Sequence, residues 1–190
     1  MRKLIAHMMT TIDGYIGDAP GLHRLTNDWT NLDDEMRGWY TVLFGATDTL
    51  MFGRVIYQEL VPHWTAVADG RIPGSTWEVG FGSHVRRARK IVVSSTLRDV
   101  PVDTTVIGGD LAAEVNAIKA TEGSDILLYT GPALLATLSR LGLIDEYLVS
   151  VHPIAIGRGT SLFGGLNGPL RLELVSSKRF RSGSLVNRYR

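Results

Sequence analysis

Short apolar runs alternate along this chain with segments whose apolar residues recur every three or four positions. The apolar runs have the length and composition of strands covered on both faces, and they lie at 3–10, 49–52, 89–95, 104–107 and 125–129. The segments with helical spacing lie at 33–44, 55–60, 111–120 and 132–141. This alternation predicts an α/β fold built on a mostly parallel sheet.

The pattern changes towards the end of the chain. Tyr147, Val149 and Val151 alternate with more varied neighbours, and two strand-like segments follow at 171–180 and 184–190. The sequence Arg-Ser-Gly-Ser joins these two segments, which predicts a closing antiparallel hairpin. With no fixed repeat and no linker composition, residues 1–190 are predicted to form a single domain with a mixed sheet.

Residues 61–83 carry no clear periodic pattern. They contain two prolines and four glycines, with Trp64 and Trp77 among them. This composition predicts a long surface segment that serves as a lid or as a contact with another subunit.

Composition narrows the classes of function. The 190 residues include 20 lysines and arginines against 19 acids, so the net charge of +1 provides no broad attraction to nucleic acid or to a membrane surface. The absence of cysteine excludes disulfides, thiolate metal sites and cysteine nucleophiles, and it fits a reducing compartment. Because polar residues such as His7 and Asp13 interrupt the first apolar run, we interpret it as a strand and not as a signal peptide, and we expect a cytoplasmic protein.

Three turns that follow predicted strands are candidate anion sites: Gly53-Arg54, the segment 94–97, and Thr130-Gly131-Pro132. Two of them begin helices, where free backbone N–H groups favour anions. Ligands of open α/β sheets bind beyond the carboxyl ends of strands, where all three turns lie. Each turn alone also fits an ordinary structural turn. The Gly-Gly pair in 106–110 lacks the later residues of a dinucleotide fingerprint, and the P-loop pattern is absent.

Acids cluster at the start of the predicted first helix. Asp33, Asp34 and Glu35 stabilise the positive end of the helix dipole there. Asp13 is typical of a turn. The five histidines lack metal-ligand spacing, so no metal site is predicted. The basic cluster 84–90 is interpreted first as a solvated helix face, next as part of a phosphate field, and last as a nucleic-acid contact.

The order of these segments carries a family resemblance. The sequences LIAHMMTTIDGYIG, LMFGRVIYQEL, RKIVVSS, ILLYTGPALLATL and IDEYLVSVHPIAIGRGTSLFGGL follow one another as in the dihydrofolate reductase-like superfamily. The chain most resembles the C-terminal reductase domain of bifunctional riboflavin-biosynthesis proteins. The resemblance implies a three-layer α/β fold, in which helices flank a mixed, mostly parallel sheet that ends in an antiparallel hairpin. It also implies a homodimer that pairs through its sheets and late strands.

The resemblance further implies an NADPH site on particular residues. Those implied to hold the phosphates are Gly53, Arg54, Val55, Ser94, Ser95, Thr96, Thr130, Gly131, Pro132, Ala133 and Leu134, with Arg54 on the ribose 2′-phosphate. Those implied to line the nicotinamide pocket are Ala6, His7, Met8, Ile16 and Gly17, under a lid at 14–21. The chain departs from the family at Pro132, which removes one N–H donor from a turn that often carries consecutive glycines. It departs again at Val149, where pterin-binding enzymes use a threonine.

The resemblance therefore implies an NADPH-dependent reductase. Its candidate proton donors are Asp33, Asp34 and Glu35, because dihydrofolate reductases place an acid near the start of the first helix, and Asp13 is another option. The implied substrate is a small pterin-like or ribosylamino-pyrimidine-like heterocycle, or a carbonyl or imine compound, and Val149 argues against dihydrofolate itself. One variant of this activity is 5-amino-6-(5-phosphoribosylamino)uracil reduction in riboflavin biosynthesis. The alternative is a non-catalytic nucleotide-binding or dimeric assembly protein that retains the fold. No nucleic-acid or membrane partner is expected.

Overall fold

The computed structural model describes residues 1–17 and 29–190. The strands of the described residues are Leu4–Thr11 (β1), Thr47–Gly53 (β2), Arg89–Val93 (β3), Thr104–Ile107 (β4), Asp125–Tyr129 (β5), Glu146–His152 (β6), Leu174–Arg179 (β7) and Leu185–Tyr189 (β8). The helices are Asp34–Gly45 (α1), Arg54–Ala68 (α2), Thr76–Arg87 (α3), Leu111–Lys119 (α4) and Pro132–Arg140 (α5). The predicted α/β class is thereby confirmed. Among the described residues, no helix has the length and apolar character that a membrane span requires.

One compact unit comprises residues 1–3 and 37–129. Its strands are all parallel and lie in the order β4-β3-β2-β5. The apolar runs at the centres of β2 and β5 are fully buried, as parallel strands covered on both faces require; they include Leu50, Met51, Phe52, Leu127 and Leu128. Because these strands are parallel, the carboxyl ends of β2, β3 and β4 lie at one edge.

The other compact unit comprises residues 4–36 and 130–190, with strand order β1-β6-β8-β7. β1 pairs with β6 in parallel, whereas β8 is antiparallel to both β6 and β7. The predicted C-terminal hairpin is confirmed. Its turn is closed by a hydrogen bond of 2.9 Å from the Phe180 N–H to the Ser184 carbonyl oxygen, and Gly183 has the positive φ of 85° that the turn requires.

The prediction of a long surface segment at 61–83 is wrong. α2 continues through Pro62 to Ala68, and α3 begins at Thr76 after a short connection. The start of α3 has a capping box, in which the Ser75 hydroxyl accepts from the Glu78 N–H and the Glu78 carboxylate accepts from the Ser75 N–H at 2.7 Å. The glycines and prolines of this segment thus delimit and accommodate two packed helices.

The two tryptophans of this segment belong to an aromatic cluster. Trp64 lies edge-on to Phe81 with ring centroids 4.8 Å apart, and Trp77 stacks on Phe81 at 6.0 Å. Phe44 lies 4.8 Å from Phe81 and joins α1 to the cluster. The Trp77 indole N–H donates to the Arg37 carbonyl oxygen at 3.0 Å, which satisfies its polar atom. Both tryptophans are half-buried and stabilise the packing of their own unit.

Candidate cofactor-binding site

A cavity of about 460 Å³ lies at the carboxyl-end edge of β2, β3 and β4. Its lining residues come from the segments that follow these three strands, namely Arg54, Val93, Ser94, Ser95, Thr96, Gly108, Gly109 and Leu111. The structure therefore brings together Arg54 and the predicted serine-threonine turn. The cavity also includes the glycine pair Gly108-Gly109, to which no binding role was assigned from the sequence.

Arg54 supplies the positive charge of this cavity. It is the first residue of α2, it is exposed, and its Nη1 donates to Gln58 Oε1 one turn later at 3.2 Å. Among the described residues, no acidic side chain forms an ion pair with Arg54. Its guanidinium is thus held by a neutral group and keeps donors for an anionic ligand.

In the turn after β3, Ser94 stabilises the turn itself, whereas Ser95 and Thr96 are exposed to the cavity. The Ser94 hydroxyl oxygen accepts from the N–H groups of Thr96 at 3.2 Å and Leu97 at 3.0 Å, which shapes the turn. Its own O–H hydrogen remains able to donate. Ser95 and Thr96 are exposed on the cavity wall, where hydroxyl groups suit phosphate oxygens.

Gly108 and Gly109 are the lining residues that sequence reasoning missed. A Cβ at Gly108 would lie 2.5 Å from the Ser94 carbonyl oxygen, so only glycine lets the segments after β3 and β4 approach this closely. The N–H groups of both glycines point to one Glu114 carboxylate oxygen, at 3.2 and 3.1 Å. The sequence signal that could have identified them is the Gly-Gly pair directly after a predicted strand. The pair lines the cavity although the rest of the dinucleotide fingerprint is missing.

The helices predicted to face phosphates begin without a side-chain cap. Neither Gly53 before α2 nor Gly131 before α5 supplies a capping hydrogen bond. By contrast, Ser75 caps α3 and Asp110 caps α4. The first turns of α2 and α5, which include the predicted residues Val55, Pro132, Ala133 and Leu134, therefore retain backbone N–H groups that can bind an anion.

The turn before α5 is close-packed. Thr130 is buried, and its hydroxyl donates to the Gly131 carbonyl oxygen at 3.3 Å. A Cβ at Gly165 would lie 2.7 Å from the Pro132 carbonyl oxygen, so the loop 164–166 lies directly against the first turn of α5. The role of 130–134 in cofactor binding stays a prediction.

The residues predicted to line a nicotinamide pocket lie in β1 and the loop after it. Ala6, His7 and Met8 are buried in β1. Ile16 donates to the Thr160 carbonyl oxygen at 2.9 Å, and the Gly17 carbonyl oxygen accepts from the Thr160 N–H at 3.0 Å. Residues 14–17 of the predicted lid are thus bonded to a neighbouring loop, whereas residues 18–21, and also His23, lie outside the described residues.

Two of the predicted proton donors hold structural hydrogen bonds. Asp33 caps α1 by accepting from the Met36 N–H at 2.8 Å, and it also accepts from the Ser182 N–H at 2.6 Å. Asp13 accepts from the Thr11 hydroxyl and from the N–H groups of Ile156 and Gly157, at 3.0 and 2.7 Å.

These contacts decide the charge of the two aspartates. The Met36 N–H lowers the pKa of Asp33, and the Thr11 hydroxyl lowers the pKa of Asp13, so both are ionised at neutral pH and are poorly suited to give up a proton. The other two acids are exposed, and Glu35 forms an ion pair of 3.2 Å with Lys178. The geometry favours structural roles for Asp13 and Asp33, and catalysis by any of the four acids stays a prediction.

Three buried histidines make the stability of the fold depend on pH. Burial lowers the pKa of His7, His84 and His152 from 6.5 to about 4. Between pH 6.5 and 4 these histidines are protonated in the unfolded chain but remain neutral in the folded chain. The free energy of unfolding is therefore expected to fall as the pH drops from 6.5 to 4. The slope is about 1.4 kcal/mol per pH unit for each histidine.

The His84→Phe variant tests this origin of the slope. His84 stacks on Phe44 with ring centroids 5.3 Å apart, so phenylalanine keeps the packing and removes one titrating group. Urea unfolding between pH 4 and 6.5 is expected to show a slope about 1.4 kcal/mol per pH unit shallower than that of the wild type. Equal slopes for the two proteins would contradict this assignment.

Residues 2–186 match the family of RibD C-terminal domains. The chain belongs to this family. It is 29% identical over 182 residues to the uncharacterized protein YyaP of Bacillus subtilis (strain 168), covering 96% of this chain and 91% of YyaP. The predicted resemblance to riboflavin-biosynthesis reductase domains is thereby confirmed.

Two solved structures confirm the fold. A Shewanella sp. PV-4 protein that is named for riboflavin biosynthesis has a TM-score of 0.72 at 22% identity, over 98% of this chain and 97% of that one. The Enterococcus faecalis dihydrofolate reductase, solved with NADP(H) and RAB-propyl, has a TM-score of 0.60 at 14% identity, over 98% of this chain and 95% of that one. The RibD C-terminal domain described here therefore has the dihydrofolate reductase-like fold, and the family match includes every residue of the cavity lining.

Proposed function

We propose that this RibD C-terminal domain is an NADPH-dependent reductase. The observation that carries the proposal is the cavity in which Arg54, two exposed hydroxyl groups and backbone N–H groups meet at the carboxyl ends of parallel strands. A dianionic phosphate fits this set, because guanidinium and hydroxyl groups donate hydrogen bonds to phosphate oxygens. The 2′-phosphate distinguishes NADPH from NADH, so the proposal predicts a preference for NADPH. The cytoplasmic location expected from the sequence belongs to the same proposal.

Family membership and β6 support a proposal for the substrate class. When bound, NADPH supplies a hydride, and reduction of a C=N or C=O group also needs a proton at the heteroatom. Val149 on β6 is buried and apolar, so it offers no hydroxyl to a pterin ring. We propose a ribosylamino-pyrimidine-like substrate, in agreement with the riboflavin-biosynthesis name of the Shewanella relative.

Oxidation of NADPH tests the proposal against its alternative. The purified protein is mixed with NADPH and a ribosylamino-pyrimidine, with pterin and simple carbonyl compounds in parallel. The expected result is formation of one NADP⁺ for each pyrimidine reduced. Tight NADPH binding with no oxidation by any of these substrates would favour the non-catalytic nucleotide-binding protein.

We propose that two copies of this chain form a homodimer by pairing through the edge strand β7. All six residues of β7 are exposed, including Leu174 and Val175 with 55% and 44% of their surfaces accessible. β7 lies at the end of the strand order of its unit, and the unpaired backbone groups of an edge strand can pair with those of another chain.

Light scattering of charged variants tests the dimer. Leu174→Lys is expected to shift the protein from dimer to monomer at micromolar concentration, because it replaces an apolar contact by a third positive charge on a strand that already carries Lys178 and Arg179 in each copy. Val102→Lys is the control, since Val102 is fully exposed and lies just before β4, far from β7 in the sequence. A monomeric wild type, or a Leu174→Lys variant that stays dimeric, would contradict the proposed interface.

A further inference from the structure

The cavity wall formed by Gly108 and Gly109 already binds an anionic group. Both glycine N–H groups donate to the same oxygen of Glu114, Oε2, at 3.2 and 3.1 Å. Successive backbone N–H groups that converge on one oxygen are a common way in which protein backbone binds anions. These glycines line the same cavity as Arg54, so the Glu114 carboxylate engages the N–H groups of two residues of the cavity wall.

The position of this N–H pair is fixed by its surroundings. Gly108 lies so close to the Ser94 carbonyl oxygen that no side chain fits there. Glu114 is held by α4, where its own N–H donates to the Asp110 carbonyl oxygen at 2.9 Å. The donors and the carboxylate are therefore parts of two rigid segments that meet at the cavity.

The carboxylate has two effects on a phosphate in this cavity. It cannot donate a hydrogen bond, and it engages two donors that a phosphate oxygen would otherwise use. Its negative charge also repels a dianion, an effect that depends on distance and on salt. Both effects oppose the attraction by Arg54.

We propose that the Gly108–Gly109 N–H pair is a second anion subsite of the cavity, and that Glu114 limits phosphate binding by occupying it. The ligand class is a dianionic phosphate monoester. The identification of that phosphate with the 2′-phosphate of NADPH rests on the proposed function. Glu114 is then the residue that sets how strongly the site prefers NADPH to NADH.

The Glu114→Gln variant tests this role. Glutamine keeps the side-chain length but is neutral, so its amide oxygen holds the two glycine N–H groups less strongly than the carboxylate does and yields them more readily to a phosphate. We expect NADPH affinity to rise roughly 3- to 10-fold and NADH affinity to stay unchanged, with the gain shrinking as salt is added. Asp110→Asn is the matched control, because the Asp110 carboxylate accepts from Ala112 and Ala113, both at 3.1 Å, which do not line the cavity.

The outcomes separate this inference from the proposed function. An equal or weaker NADPH affinity in Glu114→Gln, an equal gain for NADH, or an equal gain in Asp110→Asn would overturn the inference. A wild type that binds neither nucleotide would defeat the proposed function instead. In that case the binding of inorganic phosphate tests the inference. Glu114→Gln is expected to bind inorganic phosphate several-fold more tightly than the wild type does, and equal affinities would overturn the inference.

Discussion

Replacing Arg54 by glutamine is expected to weaken NADPH binding by about 10- to 100-fold and to leave NADH binding within about twofold of the wild type. A hydrogen bond between charged partners contributes about 1.5–3 kcal/mol, which corresponds to this range of affinity. Among the described residues, the Arg54 guanidinium bonds to the neutral Gln58 and forms no ion pair, so its loss leaves no acid there without a partner. The effect should therefore appear in NADPH affinity and not in the stability of the fold.

Calorimetric titration of both nucleotides measures this difference. Arg98→Gln is the control, because Arg98 is also an exposed arginine close to the serine turn, yet it donates to the Leu97 carbonyl oxygen and does not line the cavity. It is expected to bind NADPH within about twofold of the wild type. If Arg54→Gln keeps wild-type affinity, or if Arg98→Gln loses as much, the assignment of the 2′-phosphate to Arg54 is wrong.

The Gly82→Ala variant is expected to lower the free energy of unfolding by roughly 2–4 kcal/mol. A Cβ at Gly82 would overlap the Trp64 carbonyl oxygen and lie 3.1 Å from the Ala68 nitrogen. Both are backbone atoms of α2, so neither can move aside as a side chain would. Relief of the overlap requires α3 to shift away from α2 and disturbs the aromatic cluster between them.

Gly80→Ala on the same helix is the matched control. A Cβ at Gly80 would have no atom within 4 Å, so alanine should only improve helix propensity and stabilise the protein by roughly 0.5–1 kcal/mol. Urea unfolding of the two variants and the wild type measures both effects. Two alanine variants of similar stability would contradict the close packing of α2 and α3.

The sequence predicted the strands well because their burial is visible in local composition. Parallel strands covered on both faces appear as continuous apolar runs, as in 49–52 and 125–129. The prediction of a surface segment at 61–83 was wrong because local composition does not show how these residues pack. Their glycines and prolines suggested a loop, yet Pro62 lies inside α2, and Gly82 is needed where two helices approach.

The site was predictable only in part. Arg54 and the serine turn stood in an order typical of the family, and the structure places both on one cavity. The Gly108–Gly109 pair escaped because its importance depends on contacts with Ser94 and Glu114, which no local motif encodes. The acids near α1 could not be assigned for a similar reason, since the second partner of Asp33, the N–H of Ser182, lies 149 residues away in the sequence.

The phosphorus-31 NMR spectrum of NADPH mixed with one equivalent of protein tests the central claim most directly. A free phosphate monoester loses its second proton with a pKa of about 6, so its resonance moves with pH in that range. Bound beside the Arg54 guanidinium, the 2′-phosphate should stay dianionic, and its resonance should no longer move between about pH 5 and pH 7. A 2′-phosphate resonance that titrates in the protein mixture as it does in free NADPH would contradict the account.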